Sequence, residues 1–90
     1  MNSPETIDTS VEQTRSIETL SVYNTIQRVL IERYINIRAS DGVDKTTASL
    51  EWVDNNSSAF RKLVKLMPDL LERYKQDSEV VLSEIEKALQ

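Results

Sequence analysis

The residues of this chain best suited to chemistry are a repeated tripeptide, Glu32-Arg33-Tyr34 and Glu72-Arg73-Tyr74. A guanidinium is a planar fork that holds a carboxylate or phosphate through two parallel hydrogen bonds. A neighbouring phenol can close over such an anion, so Arg33 and Arg73 could serve as paired anion clamps. Alternatively, Tyr34 or Tyr74 could exchange protons with one of the fifteen Asp and Glu residues. The plainer account is structural and is the one we favour. Glu and Arg are good helix formers, and tyrosine buries its ring while leaving its hydroxyl wet.

A second group is basic. Arg61, Lys62 and Lys65 form a cluster preceded by Asn55-Asn56-Ser57-Ser58. A helix over about 44–55, a turn of asparagine and serine, and a helix from about 58 give the outline of a helix-turn-helix at about 44–67. In that motif the second helix enters the major groove. Asn56, Arg61, Lys62 and Lys65 would be the candidate nucleic-acid contacts. The formal net charge of -4 disfavours this alternative, because nucleic acid is bound first through an excess of cations. The string Ser58-Ala59-Phe60-Arg61-Lys62-Leu63-Val64 loosely resembles a segment of the small helical anti-sigma factor of T-even phages. The rest of the chain departs from that pattern, so no role is carried over.

The missing residue types narrow the rest. With no cysteine and no histidine, there is no disulfide, no thiolate nucleophile, no imidazole base and none of the usual zinc sites. A single glycine, Gly42, cannot build a phosphate-cradling loop. No catalytic residue, cofactor or metal is therefore expected, nor a small-molecule substrate. The first cation is Arg15, and no apolar run follows the start, so neither a secretory signal nor a transit peptide is expected. No stretch reaches the roughly 20 apolar residues of a membrane span. A small chain without disulfides fits a reducing, cytoplasmic setting.

These groups must be positioned by helices. Leu20, Tyr23, Ile26, Leu30, Tyr34 and Ile37 recur at intervals of three and four, one face of a helix from Ile17 to about Arg38. Forty residues later Phe60, Leu63, Leu66, Leu70 and Tyr74 repeat the pattern. Ala39-Ser40-Asp41-Gly42 reads as a helix end, with a hairpin turn at Asp41-Gly42 as the rival. Asp44 is a candidate cap for a helix to about Asn55 with Leu50 and Val53 inward, and Ser58 for the next. Pro68 should kink or break that helix, which resumes through Leu70, Leu71 and Tyr74. Asp77 or Ser78 can cap a last helix carrying Val81, Leu82, Ile85 and Leu89. Residues 1–14 are polar apart from Ile7 and Val11 and read as a flexible tail, with Ser10 and Ser16 as possible caps. Residues 15–90 form a single helical domain.

The expected fold is all-α: a small bundle of three to four helices with a long first helix and a disordered N-terminal tail. The first helix has more apolar positions than one buried face needs, since Val22, Val29 and Ile31 widen its stripe. Val22, Val29, Ile31 and the sole tryptophan, Trp52, are therefore candidates for a partner interface. The expected function is a non-enzymatic helical interaction module: an intracellular adaptor, regulator or complex subunit. Its partner would be another protein or a second copy of itself, with no membrane involved. Leu30 and Leu70, at the centres of their stripes, should be core.

Overall fold

The computed structural model describes the backbone of residues 4–90 and the side chains of residues 18–90. Of the flexible tail expected over 1–14, residues 1–3 lie outside the described residues; from Pro4 the backbone belongs to the first helix, which runs through the possible caps Ser10 and Ser16, and the side chains of Ile7 and Val11 lie outside the described ones. The chain is all-α, with no strand among the described residues. Its helices are α1 (Pro4–Ala39), α2 (Lys45–Lys65), α3 (Leu70–Gln76) and α4 (Ser78–Leu89).

The ends of the helices follow local chemistry. Gly42 takes φ +81° past the end of α1, a region costly for any residue with a Cβ. Its N–H donates to the Ala39 carbonyl at 3.0 Å, and that of Val43 to the Arg38 carbonyl at 3.2 Å, so the last carbonyls of α1 are satisfied. The Asp41-Gly42 hairpin does not form. Asp44 then caps α2: its carboxylate accepts the Thr47 N–H at 3.0 Å and the Thr47 hydroxyl at 2.6 Å. Asp77 ends α3 and caps α4, accepting the Val80 N–H at 3.3 Å.

α2 corrects one expectation. The predicted turn at Asn55–Ser58 is absent, and a single helix runs through it, so Ser58 caps nothing. The helix-turn-helix outline at 44–67 goes with the turn. The physical reason is the spacing of the buried residues. Ala48, Trp52, Phe60 and Val64 lie on one stripe of period four, which a break at 56 would split. Trp52 and Phe60 meet edge to face with ring centroids 6.1 Å apart across the supposed turn. Asparagine and serine in a helix cost only a few tenths of a kcal/mol each, far less than that burial contributes. The same stripe explains why Leu50 and Val53, expected inward, are exposed: they sit off it.

α2 ends at Lys65, where the N–H groups of Leu66 and Met67 reach back three residues to the Leu63 and Val64 carbonyls. Pro68 follows, and the chain restarts at Leu70, so the proline marks a break. α1 and α2 run antiparallel. The Tyr34 hydroxyl meets Glu51 at 3.0 Å, and the Tyr23 hydroxyl meets the Val64 carbonyl at 3.3 Å. α3 and α4 pack against this pair. The core joins all four helices through Ile26, Leu30, Trp52, Phe60, Val64, Leu70, Val81, Leu82 and Ile85. Leu30 and Leu70 are both buried, as their stripes predict.

Candidate protein interface

The repeated Glu-Arg-Tyr places its cations on the bundle's own carboxylates. Arg33 on α1 donates from one nitrogen to both Glu79 oxygens and from another to Glu86, all at 2.9 Å. Glu79 and Glu86 are two turns apart on α4, so one guanidinium spans them. Arg73 on α3 reaches Glu84, also on α4. The two copies of the string thus grip α4 from two different helices, and neither guanidinium is left as an open anion clamp.

Tyr34 belongs to a second network. Its hydroxyl donates to Glu51, which also accepts the Arg38 Nε–H at 3.1 Å, while Arg38 pairs with Asp41 at 2.9 Å. The hydrogen bonds from Arg38 and Tyr34 hold the Glu51 carboxyl below its ordinary range. The hydrogen bond to Glu51, aided by desolvation, pushes the Tyr34 phenol up. The network ties the end of α1 to α2. Tyr74 is half-buried and packs on the core. Among the described residues, no three His, Cys, Asp or Glu side chains converge on a site for a metal ion.

The candidate interface residues fare unequally. Trp52 is only 4% exposed, which takes it off the surface. Its ring fills the core beside Phe60. Val22, Val29 and Ile31 are half-buried and packed against the core. Val29 lies one turn before Arg33, on the side of α1 that looks toward α4. Ile31 lines a shallow groove with Lys45 and Ser49 of α2. The wide stripe of α1 is therefore shared between neighbours on two sides, which accounts for most of its surplus.

The nucleic-acid candidates separate too. Arg61, Lys62 and Lys65 are exposed, whereas Asn56 is half-buried and turned inward. It lines a cleft of about 240 Å³ with Tyr34, Trp52, Ile37 and Leu89. The four do not share a face.

What periodicity misses is where a stripe outruns its neighbour. Leu20 lies one turn before Tyr23 on the same face of α1. Tyr23 reaches the carbonyl of Val64, almost at the end of α2, whereas α1 extends past that point to Pro4. Leu20 is 59% exposed and Leu66 78%. Tyr23, Leu63 and Met67, one to three residues away along the chain, are half-buried and packed against the core. The available signal was Pro68, which stops α2 while the stripe of α1 continues toward its N-terminus.

No protein-family model matches the chain, and no curated protein or solved structure matches it either. Among the described residues, no helix is long and apolar enough to cross a membrane.

Proposed function

We propose that this chain is a helical protein–protein interaction module whose binding surface includes the exposed Leu20 of α1 and Leu66 at the end of α2. The observation that carries the reading is the exposure of two large leucines, Leu20 on α1 and Leu66 at the end of α2, each close in sequence to half-buried apolar residues packed on the core. Scattered single apolar residues are normal on protein surfaces, and Ile37 and Val80 need no partner to explain them. Leu20 and Leu66 are large aliphatic side chains, and removing them from water would stabilise a complex. In this reading the protein acts by contact, as an adaptor, regulator or complex subunit in the cytoplasm. The ion-paired arginines and capped helices supply a rigid scaffold rather than a reaction.

The test is quantitative capture from native lysate, comparing the parent with Leu20→Ser/Leu66→Ser. Both residues are exposed, so the variant should fold, which circular dichroism can verify. A protein retained by the parent and lost by the variant is the expected result. Identical recovery by the two would contradict the reading. Sedimentation equilibrium covers the case of a second copy: concentration-dependent association of the parent alone would make the partner the chain itself.

A further inference from the structure

We infer that the cleft between α1, α2 and the end of α4 is a binding site for a small, uncharged, fused-ring heteroaromatic molecule with an amide-like edge. The site is separate from the surface proposed above, since neither Leu20 nor Leu66 lines it. Its floor is apolar and fixed. Leu30 and Trp52 line the cleft and are both buried, so the core holds them in place and the surface they present is preformed. Tyr34 lines it too, and the hydrogen bond from its hydroxyl to Glu51 restrains that ring. The exposed Ile37 and the half-buried Leu89 border it. The volume is about 240 Å³. An apolar cavity of about 150 Å³ holds benzene, so this cleft can hold two fused rings. Aromatic walls favour a flat ring, which stacks on them or meets their edges.

The polar lining selects the chemistry. Asn56 is half-buried in this cleft, and its carboxamide forms no side-chain hydrogen bond among the described residues. A carboxamide offers a donor and an acceptor side by side, a pattern that an amide-like edge completes. On an open surface water satisfies both groups. In a cleft floored by tryptophan and leucine, a ligand that matches them also removes the apolar floor from water. Glu86 lines the cleft as well, and its carboxylate accepts a hydrogen bond from Arg33 at 2.9 Å. The lining residues include no Lys or Arg, so an anionic ligand would meet a carboxylate and no partner charge of its own. Recognition by ring contacts and one carboxamide needs no imidazole, metal or glycine-rich loop, so composition carries no sign of it.

The experiment is titration of the isotope-labelled full chain with isocarbostyril, a fused two-ring lactam, followed at the indole N–H resonance of Trp52, the chain's sole tryptophan. The expected result is a saturable shift of that resonance, with a Kd on the order of 1 mM or tighter for a molecule of this size. A methyl group on the lactam nitrogen should weaken binding about tenfold, and so should Asn56→Leu, because each change leaves a polar group without its match. Naphthoate, an anion of similar shape, should bind at least as weakly as the methylated lactam. If circular dichroism shows that Asn56→Leu does not fold, the methylated lactam on the parent chain decides alone. No saturable shift with the lactam would overturn the inference, as would equal affinity for the lactam and its methylated form. Tighter binding of naphthoate would overturn the assignment of an uncharged ligand. Tighter binding of N-acetyltryptophanamide would overturn it too, by assigning the cleft to a side chain of a partner protein.

Discussion

Leu66 and Leu70 are the same residue four positions apart, and the fold puts them in opposite environments. Leu66 is 78% exposed at the end of α2, whereas Leu70 is 1% exposed at the start of α3. Replacing each with alanine in turn isolates burial from chemistry. At Leu70 the loss has two parts, the transfer free energy of the removed carbons and the cavity they leave among residues from the other helices. Together these cost about 2–5 kcal/mol. A domain of this length holds on the order of 5–13 kcal/mol in total, so Leu70→Ala removes a large fraction of it. Near the midpoint, 3 kcal/mol corresponds to a fall of roughly 12–24 °C in Tm. Leu66→Ala removes little that is out of water, and its change should stay within about 0.5 kcal/mol. Urea unfolding followed at 222 nm measures both, with the slope checked for constancy. A Leu70→Ala variant that unfolds like the parent would refute the packing of α3. A Leu66→Ala loss comparable to that of Leu70→Ala would refute the exposure on which the proposed surface depends.

Two further outcomes follow from the geometry. Ser58→Pro should cost about 3 kcal/mol or more, because it breaks a continuous α2, whereas a turn at that point would tolerate it; the same urea assay reads the difference. Asp44 and Glu51 bear on acid stability. Hydrogen bonds from the Thr47 side chain and backbone hold Asp44 below its ordinary range, as those from Arg38 and Tyr34 do Glu51. A carboxyl whose pKa is lower folded than unfolded contributes its full stability above the unfolded value, near 4, and loses it as pH falls through the folded value. Asp44→Asn and Glu51→Gln should therefore be less stable than the parent at pH 7, with the gap closing below about pH 4. A gap that persisted unchanged to pH 2 would show that these carboxylates are not held by the bonds described.

The parts that sequence could reveal are those decided within a few residues. Gly42, Asp44 and Asp77 announce their ends because a left-handed residue or a capping carboxylate acts on the nearest turn. Leu30 and Leu70 announce the core because each sits mid-stripe. Asn55–Ser58 misled for the same reason: its turn chemistry is local, but the stripe from Ala48 to Val64 is longer and outweighs it. That stripe was readable in the spacing of four, though obscured by Leu50 and Val53, which are more apolar than Ala48. The exposure of Leu20 depends on where a neighbouring helix stops, and the grip of Arg33 and Arg73 on α4 depends on convergence of segments up to 53 residues apart. Neither is contained in the periodicity of one segment.

The central claim is that the surface carrying Leu20 and Leu66 is the one through which this chain acts. The most direct measurement is the change in backbone amide resonances of the isotope-labelled chain on adding the partner that the parent captures. The largest changes should fall on Leu20, Tyr23, Leu63, Leu66 and Met67 and on the neighbouring Lys62 and Lys65, with Leu50, Val53 and Val80 unmoved. Changes centred instead on the cleft between Ile37 and Leu89, or on Leu50 and Val53, would contradict it.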